Sequence, residues 1–600
     1  MTDKVSVHAR VVDLSRHDGG LPPAVGVVST QVMRANREHP EYADDFGWTY
    51  NHAPMLAWWN GTFYLEYLTD PVSEHVPPGQ TMLMTSEDGQ AWGKPEVVFP
   101  QYVVPDGIYR NPSEHPLPAG SYSVMHQRMG FYAAKDGRLL VLGFYGICPY
   151  YRVNPNDGNG IGRVVREIHA DGGFGDIYFL RYNRHAGWNE SNTDYPFYTE
   201  APDAGFIAAC DELLADPLVT MQWWEEDRST DGFFSVSGER APWAYHLPDG
   251  RAVAVWKSAR AAISNDDGHS WEPVHDIAGM ITSGGKAWAQ RTSDGRYALV
   301  YNPSPTGKMR WPLAAVTSDD GLNYRDLVAI DGEVPPRRYD GLLKDFGLSY
   351  MRSIESAAGT PDDALWLTYS ANKEDIWVTR VPVPIVSTVD DPVDEEFTGG
   401  RLEGWNVHRG PWSPVHTVTK PDGPGHCLLL GHHDPYGHAT AERVFPRSTK
   451  VVVEWSVRAE QTDGASLFVE LCDRNGAFPI RLVLEDGGSI SYLHQGERMK
   501  FTEYAAGQWV PFRLDIDVPR ASYRLRVGSV ESDEVFLAPV AAVERIAFRT
   551  GPRWTKPDLE SPMKTTDLPG SGEPIPGGTF LLDGLRTSGH EFEAWCDDGD

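Results

Sequence analysis

One eight-residue turn occurs three times in the chain in nearly the same letters, and it limits the possible folds more than any other feature. The copies are Thr85–Trp92 (TSEDGQAW), Ser264–Trp271 (SNDDGHSW) and Thr317–Tyr324 (TSDDGLNY). They share the frame [S/T]-x-[D/E]-D-G-x-x-[W/Y]. The hydroxyl and carboxylate can bond the turn's own backbone, Gly can take a positive φ, and the aromatic ring can enter the core. The repeat therefore predicts an array of β-hairpins.

Strand-like segments surround these turns between about residues 50 and 385. They lie near 53–95, 122–183, 240–276, 287–330 and 349–382. An N-terminal strand at 5–14 and the stretch at 180–200 would complete six or seven units, and 201–226 is predicted to be an inserted helix. Arrays of this period close on themselves because closure removes exposed sheet edges. We therefore expect an all-β fold containing a six- or seven-bladed β-propeller.

The repeat stops near residue 388, and a different pattern follows. Residues 389–600 alternate apolar and polar positions, as in Lys450–Arg458 (KVVVEWSVR), which is typical of an antiparallel sandwich. The sequence thus predicts a catalytic propeller at 1–388 and a β-sandwich at 389–600. The sandwich resembles the lectin-like jelly rolls that follow many carbohydrate-active domains. It would either bind sugar or support the propeller.

Charge and composition exclude several classes of partner. The chain has 84 acidic and 53 basic residues, a net charge of −31, which argues against nucleic acid and anionic membranes. No apolar run reaches membrane-spanning length. The N-terminus shows no secretion signal, and the five Cys are scattered without a CxxC pair, so we expect a cytoplasmic protein with reduced thiols.

Polar residues that interrupt apolar inner strands are the candidates for chemistry in a propeller. His52 precedes the apolar strand of the first complete blade, and His75 lies in the loop after it. Taken alone, His52 is more often a structural histidine than a catalytic one, and His75 is more often a solvated loop residue. Lys286 and Gln290 form a further pair of candidate substrate contacts.

The densest group of candidates runs from Tyr145 through Tyr150 to Arg163 and Arg166. If 162–168 is a strand, the two arginines lie on opposite faces among apolar neighbours. They either pair with nearby acidic residues or bind a substrate carboxylate, because a guanidinium matches a carboxylate with two parallel hydrogen bonds.

The residue types favour elimination at a uronic acid over ordinary glycoside hydrolysis. A glycosidase generally needs two carboxylates beside the bond, and no such pair occurs among these positions. Elimination needs a cation to neutralise the uronate, a base for the α-proton and an acid for the departing oxygen. His, Tyr and Arg can supply all three.

The turns resemble the Asp-box of sialidase-like propellers, where it is structural. The Asp-box propeller followed by a sandwich is similar to the propeller polysaccharide lyases, namely the L-rhamnose-α-1,4-D-glucuronate lyases and ulvan lyases. These use two His, a Tyr and an Arg in that order, with Tyr and Arg sixteen positions apart, as Tyr150 and Arg166 are here. The two family His lie about twenty apart, whereas His52 and His75 are twenty-three apart.

The resemblance implies a lyase that cleaves a rhamnosyl-α-1,4-glucuronate bond in a uronic-acid-containing glycan. Its catalytic residues would be His52, His75, Tyr150 and Arg166, with Arg163, Tyr145, Lys286 and Gln290 as substrate contacts. No cofactor is expected, although related propellers can hold a structural divalent cation. A propeller α-L-rhamnosidase, acting through a lone His for which His52 is the candidate, is the first alternative. A non-catalytic glycan-binding protein is the second.

Overall fold

The structure is a computed structural model that describes residues 3–106, 117–126, 130–148, 155, 159–223, 239, 241–307, 309–354, 359–553 and 566–592. Its N-terminal part is a β-propeller. The propeller strands are β1 Ser6–His8, β2 Val28–Met33, β3 Tyr50–Trp59, β4 Thr62–Asp70, β5 Gln80–Ser86, β6 Glu96–Phe99, β7 Val124–Met125, β8 Phe131–Ala133, β9 Leu139–Gly146, β10 Gly160–Ile168, β11 Tyr178–Tyr182, β12 Trp243–His246, β13 Ala252–Trp256, β14 Arg260–Ser264, β15 His275–Asp276, β16 Trp288–Arg291, β17 Tyr297–Tyr301, β18 Met309–Arg310, β19 Leu313–Ser318, β20 Asn323–Asp331, β21 Phe346–Ser353, β22 Leu365–Ala371 and β23 Asp375–Val381.

Four separate sheets in the described part of the chain are blades, and we number them I to IV. Their strand orders from the inside are β3-β4-β5-β6, β7-β9-β10-β11, β12-β13-β14-β15 and β16-β17-β19-β20. The strands β21-β22-β23-β2 form blade V, which lies between blades IV and I because β21 contacts both β16 and β3. The expectation of six or seven blades is therefore wrong.

The two segments expected to supply extra blades have other roles. The N-terminal strand is only the three-residue β1, which pairs in parallel with the outer edge of blade IV. Residues after β11 form 3₁₀ turns and then helices α1 (Ala204–Leu214) and α2 (Pro217–Thr220). Helix α1 packs its buried face on blade II, and α2 leads towards blade III, so helices fill the space of another blade. No helix in the described ranges is long and apolar enough to cross a membrane.

The repeated turns join the two outer strands of blades I, III and IV, and their side chains bond the backbone as the sequence predicts. In blade I the Ser86 hydroxyl donates to the Ala91 carbonyl at 2.6 Å and accepts from the Gly89 amide at 2.9 Å. Asp88 accepts from the amides of Gln90 and Ala91, each at 2.8 Å. Gly89 has φ +70°, which a residue with a Cβ rarely adopts.

The C-terminal part is a two-sheet β-sandwich. Its strands are β24 Asp394–Glu395, β25 Trp405–Arg409, β26 Val415–Thr419, β27 His426–His432, β28 Thr440–Ser448, β29 Lys450–Ala459, β30 Leu467–Cys472, β31 Ile480–Leu484, β32 Ser489–His494, β33 Glu497–Glu503, β34 Trp509–Asp517, β35 Ser522–Val527, β36 Val530–Val535, β37 Val543–Arg549 and β38 Gly578–Glu591. Strand β29 alternates half-buried and buried residues along its whole length, and Trp455 stacks on Phe512 in the core between the sheets.

The two domains share one sheet. Strand β2, the outermost strand of blade V, pairs antiparallel with β23 and in parallel with β25, so twelve strands form a continuous sheet. Buried ion pairs add to this junction. Arg34 contacts Asp434 at 2.7 Å, and Arg549 of the sandwich bonds Glu333 of the propeller.

Candidate active site

Irregular backbone on two innermost strands brings His52 and Tyr350 together at the propeller axis. The pairing of β3 with β4 is interrupted between His52 and Met55, and that of β21 with β22 is interrupted between Ser349 and Arg352. Tyr350 has φ +59°, a conformation that costs free energy in a residue with a side chain. The rings of His52 and Tyr350 lie 4.3 Å apart, and Nδ1 of His52 is 2.7 Å from the Ser370 hydroxyl. Bulges of this kind turn side chains towards sites.

Two lysines surround the Tyr350 ring. Lys257 donates to the Tyr350 hydroxyl at 3.2 Å, and the Lys286 ammonium lies 4.3 Å from the ring centroid. Lys257 stands at the tip of the hairpin between β13 and β14, where Ser258 and Ala259 both have positive φ, as two-residue turns of the favoured type require. Ammonium groups in these positions stabilise negative charge on a phenol oxygen.

Glu74 and Lys373 continue the site on its blade I side. Lys373, at the tip of the β22–β23 hairpin, contacts Glu74 at 3.0 Å, and the imidazole of His75 lies 3.7 Å from Glu74. Burial alone would raise the pKa of Glu74, but Lys373 and then His75 lower it to about 2. Glu74 is therefore ionised across the physiological range.

Asp70 is the opposite case. Its carboxylate accepts from the His75 backbone amide at 3.1 Å and is completely buried. Burial raises the pKa of Asp70 well above its ordinary value, and the nearby Glu74 charge adds to the shift. The pKa values of two neighbouring carboxyl groups are thus shifted in opposite directions, an arrangement that separates the roles of acid and anion in enzymes.

Four cationic side chains lie at this end of the propeller axis, more than the acidic composition of the chain would suggest. Lys257, Lys286 and Lys373 are joined by Arg310, which donates to the Ser283 carbonyl at 2.8 Å and lies 3.6 Å from Asp345. The whole chain carries 31 more negative than positive charges. Glu74 and Asp345 pair with Lys373 and Arg310, and the four cations outnumber these two carboxylates, so the cluster is suited to an anionic ligand.

The axial channel continues below this cluster as a cavity of about 260 Å³. Trp243 and Trp288 stack at 3.5 Å in its wall, and the Arg352 guanidinium lies 5.4 Å from each ring. Met55, Phe131, Leu139 and Val219 are among its other apolar lining residues. Aromatic walls with a few polar groups are typical of sugar-sized pockets.

The structure brings several of the predicted site residues to this axis. His52 and Lys286 both contact Tyr350, and His75 lies beside Glu74 with its ring 5.5 Å from His126. Gln290 accepts a 2.7 Å hydrogen bond from the Trp288 indole, so it holds the wall of the cavity.

Arg163 lies next to the same channel but deeper between the blades. It is buried, with its guanidinium 4.6 Å from the Trp223 ring centroid and 5.6 Å from that of Phe144. Burial raises the pKa of Glu66 well above its ordinary value, and the Arg163 charge opposes that shift. The Arg163 charge on β10 therefore acts electrostatically on Glu66 of β4.

Arg166 and Tyr145 lie elsewhere. Arg166 donates to the carbonyls of Gly175, at 2.9 Å, and Val98, at 2.8 Å, and stacks 4.8 Å over Phe174. The guanidinium nitrogens of Arg166 are therefore hydrogen-bonded to backbone carbonyls. The structure does not support the expected contact with a substrate carboxylate. Tyr145 donates to the Pro100 carbonyl at 2.7 Å. Tyr150 lies outside the described residues.

The sequence-based prediction missed Tyr350, Lys257, Glu74 and Lys373. None belongs to a motif, and they come from three blades that are far apart in sequence. The one sequence signal that could have found any of them was their position in short turns between strands. Lys257 and Lys373 each stand where a short turn joins two apolar strands, which is the face where propellers place functional loops. No group of His, Cys, Asp and Glu suited to a metal ion occurs within the described ranges.

Two family models match the chain. One, described as "BT_1020-like, N-terminal beta propeller", matches residues 3–240, and the other, "Sialidase-like, CBM domain", matches residues 405–565. Both agree with the fold. They support a propeller protein that acts on glycans, with a carbohydrate-binding type of sandwich. No curated protein matches the chain.

One solved structure, named "Sialidase", is similar along nearly the whole chain. It is 42% identical over 98% of this chain, with a TM-score of 0.93, and this chain spans 54% of that protein. A Trypanosoma rangeli sialidase matches at 9% identity over 91% of this chain and 92% of its own, and a Dyadobacter fermentans protein of unknown function at 13% over 60% and 100%. Their TM-scores of 0.33 and 0.35 are too low to carry an argument.

The expectation of a rhamnosyl-glucuronate lyase is wrong. The protein whose structure matches 98% of the chain is named a sialidase, and sialidases are glycoside hydrolases, not lyases. Arg166, which lies sixteen positions after Tyr150, donates to backbone carbonyls. Rhamnose and glucuronate find no support in these comparisons.

Proposed function

We propose that this chain is a glycoside hydrolase that releases a terminal sugar acid of the sialic acid class, with Tyr350 as the nucleophile. The environment of Tyr350 carries the proposal. Its hydroxyl accepts from Lys257, its ring contacts His52, and Lys286 lies over its face. The similarity to a protein named "Sialidase" supports the same reaction class.

A tyrosine suits a substrate whose anomeric carbon carries a carboxylate. A carboxylate nucleophile would be repelled by that group at short range, whereas a phenol approaches as a neutral molecule. Sialidases are glycosidases that use a tyrosine in this role. Lys257 and Lys286 stabilise the phenolate as it forms, and His52, held by Ser370, is placed to accept the phenol proton.

The remaining charges have separable roles. The ammonium and guanidinium groups of Lys286, Lys373 and Arg310 neutralise the substrate carboxylate. Burial raises the pKa of Asp70, and we assign to it the proton that the departing oxygen takes, while ionised Glu74 holds Lys373 in place. Attack by Tyr350 on the anomeric carbon releases the aglycone, and water then hydrolyses the tyrosyl intermediate with net retention.

The direct test replaces Tyr350 by Phe. Turnover of aryl glycosides of N-acetylneuraminic acid and other 2-ulosonic acids should fall by at least about 10³-fold, because the nucleophile is lost. Aryl glucuronides serve as the comparison for substrate class. Product mass should show the addition of water, which elimination would not give.

Tyr145→Phe is the matched control, since its hydroxyl donates to a backbone carbonyl and its ring stacks on Tyr102 within the wall between blades. This variant should keep its turnover and lose about 1 kcal/mol of stability. Turnover by Tyr350→Phe above a tenth of the wild-type value would exclude Tyr350 as nucleophile. Binding of every glycoside without turnover by the wild type would favour a non-catalytic glycan-binding protein.

A further inference from the structure

A second cleft, of about 660 Å³, lies where the sandwich meets the outer strands of the propeller. One wall is formed by the start of the sandwich, including residues 400–404 and strands β25 and β26. The other wall is blade V, with Trp366 and Arg380, and the repeated turn of blade I, with Gln90. The cleft is separate from the propeller axis because none of its propeller residues lies on an innermost strand.

Arg409 is the residue at the centre of the argument. It donates to the Thr30 hydroxyl at 3.1 Å, the Val415 carbonyl at 3.0 Å and the Gln90 side-chain oxygen at 2.8 Å. All three acceptors are neutral. Burial lowers the pKa of Arg409, and only the more distant charge of Asp88 opposes the shift. Within the described ranges no carboxylate forms an ion pair with it.

The other two arginines of the cleft are neutralised. Arg380 contacts Asp362 at 2.8 Å, and Arg401 contacts Glu403 at 3.3 Å at the exposed rim. The cleft therefore keeps one uncompensated positive charge in a chain with a net charge of −31. A half-buried guanidinium without an anion is costly, and a carboxylate ligand would remove that cost through two parallel hydrogen bonds.

His416 adds a neutral polar group beside Arg409. Burial and then the Arg409 charge lower the pKa of His416, so its imidazole is uncharged at neutral pH. An uncharged imidazole can both donate to and accept from sugar hydroxyls. The edge of Trp366 lies in the opposite wall, and its indole nitrogen is held by Asp362 at 2.9 Å.

We propose that this cleft is a second saccharide site that binds a carboxylate-bearing sugar, with the carboxylate on Arg409 and the hydroxyl groups near His416 and Gln90. The site would hold an acidic glycan without cleaving it. It does not depend on the reaction assigned to the axis. The sandwich's match to a carbohydrate-binding domain is consistent with such a role.

Arg409 could instead serve only to join the domains, since it links the sandwich to Thr30 and Gln90 of the propeller. The experiment must separate the two roles. We would titrate the whole chain by calorimetry with trigalacturonate, glucuronate and N-acetylneuraminate, and with the methyl ester of each, which removes the charge and keeps the sugar.

The test variant is Arg409→Gln, which keeps length and some hydrogen bonds but not the charge, and the control is Arg401→Gln. At least one acid should bind the wild type, and Arg409→Gln should weaken that binding by about 10- to 100-fold. Arg401→Gln should change it less than about twofold, because an exposed pair contributes little. The methyl esters should not bind at this site.

Two outcomes would overturn the proposal. One is the failure of all three acids to bind the wild type. The other is unchanged binding by Arg409→Gln together with a lower melting temperature, which would leave Arg409 as a link between domains. If Arg409→Gln does not fold, His416→Ala gives the answer, because unchanged affinity there would also overturn the proposal. Binding that is lost in Tyr350→Phe but kept in Arg409→Gln belongs to the propeller axis and not to this cleft. Failure of the proposed hydrolysis can therefore be distinguished from failure of the second site.

Discussion

Replacing Arg34 by Met should weaken the junction between the propeller and the sandwich. Arg34 binds Asp434 through two bonds, Nε to Oδ2 at 2.7 Å and Nη2 to Oδ1 at 3.0 Å, with side chains only 3% and 6% exposed. It also donates to the Ser571 carbonyl at 2.9 Å and stacks 4.0 Å over Trp412. Met keeps the length of the side chain and removes every one of these bonds.

The expected cost is about 3–5 kcal/mol, the usual result of leaving one partner of a buried pair without its counter-charge. Two charge-assisted hydrogen bonds at about 1.5–3 kcal/mol each give about 3–6 kcal/mol, which overlaps this range. For 600 residues the entropy of unfolding is about 1.3 kcal/mol/K, so the melting temperature should fall by about 2–4 °C.

Scanning calorimetry at pH 7 measures this shift, and the pH dependence gives a second check. Burial alone would raise the pKa of Asp434, but Arg34 holds it below the ordinary value. A depressed folded-state pKa stabilises the protein above the unfolded value of about 4, and this contribution is lost as the pH falls through the folded-state pKa. The gap between wild type and Arg34→Met should therefore close in acid.

Two further variants make the reasoning refutable. Arg401→Met breaks an exposed pair, at 78% and 81% exposure, and should cost less than about 0.5 kcal/mol. Arg34→Met combined with Asp434→Asn should recover about 2 kcal/mol, because no buried charge remains alone. A loss below about 1 kcal/mol for Arg34→Met, or equal losses for the two single variants, would refute the argument.

Two other predictions concern the propeller. Arg166→Ala should lose about 1–3 kcal/mol in urea unfolding, because two backbone carbonyls lose their donor, and should keep full turnover per folded molecule; a stable but inactive variant would return Arg166 to the site. Lys373→Met should raise the pKa of Glu74 from about 2 towards its ordinary value, because the ammonium that lowers it is removed, and the carboxyl chemical shift of Glu74 followed by NMR against pH measures this. An unmoved pKa would show that Lys373 does not set the charge of Glu74.

Local chemistry could be predicted well from the sequence. Each of the three repeated turns has its serine, aspartate and glycine in the expected hydrogen bonds, because those interactions lie within a few residues of one another. The alternation in β29 likewise reports directly which side of the strand is buried. The number of blades could not be predicted, since the sequence does not reveal that the N-terminal strand pairs with the edge of another blade and that the residues after β11 form 3₁₀ turns.

The site could be predicted only in part because sequence does not give a strand's position within its blade. Arg163 and Arg166 lie on β10, the third strand from the axis, which has neighbours on both sides. Apolar sequence neighbours therefore do not distinguish an innermost strand from β10. His52 and Tyr350, in contrast, meet across 298 positions of sequence, and only the closed ring brings them together.

The shared sheet also governs how the chain can be synthesised. Gln31 on β2 bonds Asp375 at the start of β23, a separation of 344 residues, so blade V cannot be completed until almost two thirds of the chain has left the ribosome. Until then the hydrogen-bonding edges of β2 are unpaired, and unpaired strand edges can pair with other chains. Strand β25 emerges soon afterwards and covers the outer edge of β2. A chain cut after the propeller would keep that edge exposed, and we expect it to aggregate more readily than the whole chain.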